Sequence, residues 1–145
     1  MIAKSAKWWT GVCAAVMSLG MLASAGTQST GTTLGSVRLT RGVTADGQPL
    51  AAGTYTLRLS DAAVSAVVGQ PQDSEQWIEF VQNGQVRGRE LATKVAAADV
   101  QAIAKTTPPA SGTARVERLK SGDYIRIWVN RSGTHYLLHL ATTPS

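Results

Sequence analysis

The chain contains very little cysteine: Cys13 is the single one among 145 residues. It lies in an apolar N-terminal run that we predict is removed on export, so the mature protein has no cysteine and forms no disulfide. The preceding residues, Thr10-Gly11-Val12, lack the leucine and small residues found before the acylated cysteine of a bacterial lipoprotein. We therefore expect no lipid anchor, and we expect the hydrophobic core alone to stabilise the fold.

The sequence also lacks an apolar run long enough for a membrane-spanning helix. Residues 8–22 are mostly apolar, but polar residues and glycines interrupt them, and a spanning helix needs about 20 predominantly apolar residues. Lys4 and Lys7 precede this run and Ala23-Ser24-Ala25 follows it, which is the order of regions in a secretory signal peptide. We predict that residues 1–25 are cleaved, that no membrane span remains, and that the protein is exported to the periplasm or the cell exterior.

The excess of positive charge is small once the signal peptide is set aside. The chain has 14 lysines and arginines and 9 aspartates and glutamates. Removing Lys4 and Lys7 leaves 12 basic residues against the 9 acidic ones, a net charge of +3. Because the remaining basic residues are scattered along the sequence, no cluster predicts nucleic-acid binding, and we expect no nucleic-acid partner.

Recognisable catalytic, phosphate-binding and metal-binding motifs are missing from the sequence. There is no Gly-x-Ser-x-Gly elbow of a serine hydrolase and no glycine-rich phosphate loop. The two histidines, His135 and His139, could share a metal on a helix, but four residues along a strand separate them by about 13 Å. We therefore predict no catalytic residues, no metal site and no cofactor.

The mature chain does contain many short segments in which apolar and polar residues alternate. Residues 26–35 consist mainly of glycine, threonine and serine, which favours a flexible leader. Residues 36–145 suit a single β domain, because turn signals recur between the alternating runs. Asn83-Gly84 predicts a two-residue type I′ hairpin turn, and Gly88 shortly after it predicts a β-bulge.

Two segments between the hairpins have weaker local signals. Residues 64–68, Val-Ser-Ala-Val-Val, are interpreted as a strand that ends at the Gly69-Gln70-Pro71 breaker. Asp99 precedes residues 100–105 and could cap one or two helical turns, which must end before Pro108. This is the one helix that the sequence predicts.

The C-terminal segment predicts a three-stranded meander over residues 113–119, 124–130 and 134–141. If residue 119 pairs with 124 and residue 129 with 134, the alternation assigns every side chain to one of two faces. One face is apolar and is predicted to be the core face. It consists of Ala114, Val116, Ile125, Ile127, Val129, Tyr136, Leu138 and Leu140.

The run Leu50-Ala51-Ala52-Gly53-Thr54-Tyr55-Thr56-Leu57-Arg58-Leu59 resembles a strand edge found in many secreted bacterial immunoglobulin-like modules. The mature chain is also similar to small uncharacterised exported bacterial proteins. This resemblance implies a β-sandwich or small barrel and implies no activity. Together with the turn spacing, it predicts an all-β fold: an antiparallel β-sandwich or partly open barrel of about 7–8 short strands with at most one short helix.

The face of the meander opposite the core carries the candidate site. The pairing places Arg115 opposite Trp128 and Glu117 opposite Arg126, and it brings Tyr124 near His139. One interpretation is an exposed platform for a carbohydrate, a peptide or a protein. The alternative is that residues 96–105 cover this face and that Trp128 belongs to the core. The predicted binding residues are Arg115, Tyr124, Arg126, Trp128, His135 and His139.

Two functions remain open from the sequence. The first is an exported, non-catalytic binding or structural module with a protein or carbohydrate partner. It is favoured by the missing catalytic motifs and by the arginine and tryptophan residues of the meander. The alternative is a hydrolase-type envelope enzyme whose site forms from strands that are distant in sequence.

Overall fold

The computed structural model describes residues 31–71 and 73–144. The predicted signal peptide and residues 26–30 of the predicted leader lie outside these residues. The described elements are β1 (Thr33–Leu39), β2 (Val43–Ala45), β3 (Gln48–Leu50), β4 (Gly53–Leu59), β5 (Glu75–Gln82), β6 (Gln85–Val95), α1 (Val100–Ile103), β7 (Thr113–Arg118), β8 (Tyr124–Arg131) and β9 (Thr134–Thr142). The all-β prediction with one short helix is confirmed.

The strands form one antiparallel sheet that curls into a nearly closed barrel. Its order is β1-β4-β5-β6-β9-β8-β7, and the short β2–β3 hairpin pairs with the end of β9. The chain comes back beside β1 at the start of β7. The approach is close, since a Cβ added at Gly35 would lie only 3.2 Å from the carbonyl oxygen of Gly112, the residue before β7. Of the two predicted architectures, the partly open barrel is therefore the one that forms.

Tight turns connect the two strands of each hairpin, and the backbone conformation of a turn follows from the residues that form it. Asn83 and Gly84 have φ angles of 52° and 73°, which confirms the predicted type I′ turn. Beyond this turn Phe80 pairs with Gly88 but Val81 pairs with Val86, so the strand contains an extra residue next to Gly88, as the sequence predicts. The missing side chain at Gly88 leaves room inside the barrel for Leu50.

The barrel interior is filled with side chains. Leu57, Ile78, Phe80, Ile127 and Leu138 are fully buried, and the aromatic rings of Tyr55 and Phe80 meet edge to face at 6.0 Å. Most of the predicted core face of the meander is buried. Among the described residues, no helix is long and apolar enough to cross a membrane.

The predicted strand at residues 64–68 does not form. Residues 60–71 form no strand, and the side chain of Val68 is fully exposed. Both edges of β4 are already occupied, one by β1 and the other by β5, so the segment cannot pair with the strand that precedes it in the chain. The predicted strand is therefore wrong.

The predicted boundary of the flexible leader is wrong by a few residues. β1 begins at Thr33, which pairs with Arg58, whereas the sequence predicts a leader through residue 35. Leu34 is the one large apolar residue of that stretch and is only 2% exposed. Burial of Leu34 in the core is what extends the folded domain toward the N-terminus.

The predicted pairing of the meander is correct in its first hairpin and shifted in its second. The amide of Leu119 donates to the carbonyl oxygen of Tyr124 at 3.0 Å, as expected. In the second hairpin, Val129 pairs with Tyr136 instead of residue 134. Ser132 adopts a φ of 50° and makes a two-residue turn with Gly133, which lengthens both strands. A shift of two residues preserves the faces, since side chains alternate with a period of two.

Candidate functional site

Trp128 lies on the predicted outer face of the meander, but it is buried. Its side chain is 1% exposed, because Val100 of α1 and Leu137 of β9 pack against it. Residues Val95 and Ala104 complete this small second core. The segment containing α1 therefore covers the indole, as in the alternative interpretation, and an exposed tryptophan platform does not form.

His135 is buried beside Trp128 and satisfies its polar atom. The indole Nε1 donates a hydrogen bond of 2.8 Å to His135 Nδ1, and the two rings meet edge to face. Burial lowers the pKa of His135, so the imidazole favours the neutral form that can accept this hydrogen bond. The contact explains a polar pair inside an apolar cluster, and it gives His135 a structural role.

Arg115 and Arg126 lie over the indole and share one carboxylate. Their guanidinium carbons are 5.2 and 5.4 Å from the Trp128 ring centre, within range of a cation–π interaction. Arg115 binds Glu117 Oε1 at 2.6 Å, and Arg126 Nε donates to Glu117 Oε2 at 2.8 Å. The predicted cross-strand pairs of Arg115 with Trp128 and of Glu117 with Arg126 are confirmed.

Arg115 also fastens the chain that follows α1. Its Nη1 donates to the carbonyl oxygen of Thr107 at 2.6 Å, and its Nη2 donates to Thr106 Oγ1 at 3.0 Å. Most donors of this guanidinium are therefore used within the protein. Arg115 holds the covering segment over Trp128 and offers little hydrogen-bonding capacity to a ligand.

Glu117 is poorly suited to donate a proton in a reaction. Burial favours its neutral form, but hydrogen bonds and positive charge from Arg126 and Arg115 outweigh burial and lower its pKa. Both carboxylate oxygens already accept hydrogen bonds. Glu117 is thus an ionised bridge between two arginines, and the cluster as a whole is structural.

Tyr124 and His139, the remaining predicted site residues, are exposed and do not face each other directly. Tyr124 is 50% exposed and pairs with Ala141, whereas His139 pairs with Arg126. The predicted aromatic pair is wrong, because the observed register of β8 and β9 differs by two residues from the predicted one. Partial burial and the charge of Arg126 lower the pKa of His139. In residues 31–71 and 73–144, no group of three histidine, cysteine, aspartate or glutamate side chains is placed to hold a metal.

A different site lies where the barrel fails to close, between β1 and β7. Gly35 of β1 lies close to Gly112, the residue before β7. Further along, Leu39 and Val116 line the same cavity, so the two strands run parallel. Within the described residues β1 pairs with β4 and β7 pairs with β8, and no ladder joins β1 to β7. The cavity, about 220 Å³, is lined by Arg38, Leu39, Thr40, Arg41, Val116, Arg118 and Ile125. We call it the seam notch.

Apolar surface is exposed inside the seam notch. Val116 lies on the interior face of the sheet directly opposite Ile127, yet Val116 is 38% exposed and Ile127 is fully buried. The difference arises because no paired strand covers Val116 on its β1 side. Together with Leu39 and Ile125, it gives the notch an apolar floor.

Three arginines form the rim of the seam notch. Arg38 comes from β1, Arg41 from the turn after it, and Arg118 from the end of β7, and all three are exposed. Among the described residues none of them has a carboxylate within 4.0 Å, whereas Arg58, Arg89, Arg115 and Arg126 each form an ion pair. The notch therefore combines an apolar floor with unmatched positive charge.

Sequence reasoning did not identify the seam notch. Its two walls are about 80 residues apart in the chain, and their approach depends on closure of the barrel. The available signal was Arg118, a charged residue on the otherwise apolar face of the predicted meander.

Comparison with known proteins finds no matching family model, no matching curated protein and no matching solved structure.

Proposed function

We propose that the protein is an exported, non-catalytic binding module and that the seam notch is its binding site. The observation that carries the proposal is the exposure of Val116 on the interior face of the sheet, beneath three arginines without described ion-pair partners. Apolar surface framed by a few polar groups is the usual composition of a binding site. The signal-peptide pattern of residues 1–25 supports export.

The chemistry of the outer face favours binding over catalysis as the function. His135 accepts a hydrogen bond from Trp128, and Glu117 is held between two arginines. A general acid or base must exchange a proton with a substrate, whereas His135 and Glu117 already use these atoms in hydrogen bonds within the protein. The seam notch has arginines on its rim, and none of the described residues that line it is a carboxylate or a histidine.

Site-directed photo-crosslinking in the native cells tests this proposal. We expect p-benzoylphenylalanine in place of Val116 to form a discrete adduct on irradiation of the full chain. Val86 is the matched control, because it is also a strand valine and is 42% exposed. A third position, Tyr124, samples the surface predicted from sequence. Equal adducts at Val116 and Val86, or an adduct found at Tyr124 alone, would contradict the proposal.

A further inference from the structure

Resting on the proposed function, we infer that the seam notch binds an extended polypeptide segment in which an aliphatic side chain is flanked by carboxylates. Charge is the first reason. Arg38, Arg41 and Arg118 surround one small cavity, and none of them has a carboxylate within 4.0 Å among the described residues. Guanidinium groups form paired hydrogen bonds with carboxylates. A carboxylate ligand would balance this local positive charge.

The size of the cavity indicates what occupies its floor. Its volume of about 220 Å³ is below the roughly 300–1,000 Å³ of sites for whole drug-sized ligands. Leu39, Val116 and Ile125 offer an aliphatic surface with no aromatic ring. The cavity thus suits one aliphatic side chain of a larger partner, with the rest of that partner outside the notch.

The free edge of β7 favours a polypeptide over a lipid or a free anion. Leu119 directs its amide toward β8, where it binds Tyr124, and the direction alternates along an antiparallel strand. Val116 and Arg118 therefore direct their backbone amide and carbonyl groups toward the seam. Unpaired donors and acceptors at a strand edge match the backbone of an extended peptide, which is how β-strand addition recognises its ligands.

Selection from a random displayed peptide library tests the class of ligand on the protein purified in the form that the cell produces. We expect the selected peptides to be enriched about tenfold in aspartate or glutamate next to leucine, isoleucine or valine, consistent with charge-assisted pairing. The double variant R38Q/R118Q should lose this enrichment. R87Q is the matched control, since Arg87 is an exposed strand arginine outside the notch, and it should select like the original protein.

The outcomes separate the ligand class from the site itself. Selection without acidic residues, or selection unchanged in R38Q/R118Q at an unchanged melting temperature, would overturn the peptide inference. So would a lipid-sized adduct at position 116 together with binding to phosphatidylglycerol vesicles that depends on Arg38 and Arg118. In these cases an adduct at position 116 still supports the notch as a binding site, whereas its absence removes the proposed function.

Discussion

Replacing Trp128 with alanine is expected to lower the free energy of unfolding by about 3–5 kcal/mol, the range for deletion of a buried aromatic side chain. The indole is 1% exposed and forms the centre of the second core with Val100 and Leu137. Its loss also leaves His135 without its donor and removes the surface on which Arg115 and Arg126 lie. Urea unfolding followed by circular dichroism measures the change.

Trp77 provides the matched control for this substitution. It lies on the outside of β5, is partly exposed, and has the guanidinium of Arg89 4.3 Å from its ring centre. Because a cation–π contact at an exposed site contributes about 0.5–1 kcal/mol, Trp77→Ala should cost far less than Trp128→Ala. A loss at Trp128 no larger than that at Trp77 would show that the segment around α1 does not cover the indole in solution.

The substitution Glu117→Gln is expected to destabilise the fold by about 1–3 kcal/mol, because it removes hydrogen bonds between charged groups. Glutamine keeps the shape of the side chain but cannot neutralise Arg115 and Arg126, which converge on the same indole. The like charges of the two guanidinium groups then face each other without a bridge. Asp46→Asn is the control, since its ion pair with Arg89 is about half exposed and should contribute under about 1 kcal/mol.

Acid should reproduce the effect of Glu117→Gln. The pKa of Glu117 is lowered in the folded protein, so the unfolded chain takes up this proton first as the pH falls below about 4.5. The stability that Glu117 contributes is present above that pH and is lost as the pH falls through the folded-state pKa. A plot of the free energy of unfolding against pH should therefore fall less steeply between pH 6 and pH 3 for Glu117→Gln than for the original protein. Parallel curves for the two proteins would show that Glu117 is not held as an ion by its arginines.

Local sequence signals were sufficient for the strands whose two faces differ. In the meander, alternation separates Ile125, Ile127 and Val129 from Arg126 and Trp128, and the structure has the same two faces. Glycine and asparagine in positive-φ turns define the hairpin at Asn83-Gly84 in the same way. These features depend on neighbouring residues, which is why one sequence reveals them.

Features that depend on distant parts of the chain could not be predicted in this way. Alternation alone cannot tell whether an outer-face tryptophan is exposed or covered, because the cover at Trp128 comes from α1 and is held by Arg115. The turn at Ser132 fixes the second register through a φ of 50°, which serine rarely adopts. The seam notch likewise depends on how far β1 and β7 remain apart when the barrel closes.

The most direct test of the seam notch as the binding site is residue-resolved mapping by nuclear magnetic resonance. The ¹⁵N-labelled protein is titrated with the most enriched peptide of the selection, and the shift of every backbone amide is followed. The largest shifts should occur at Arg38, Leu39, Val116 and Arg118, the residues that line the notch. Shifts centred on Tyr124 and His139, with the amides of Val116 and Arg118 unmoved, would contradict the account and restore the surface that the sequence predicts.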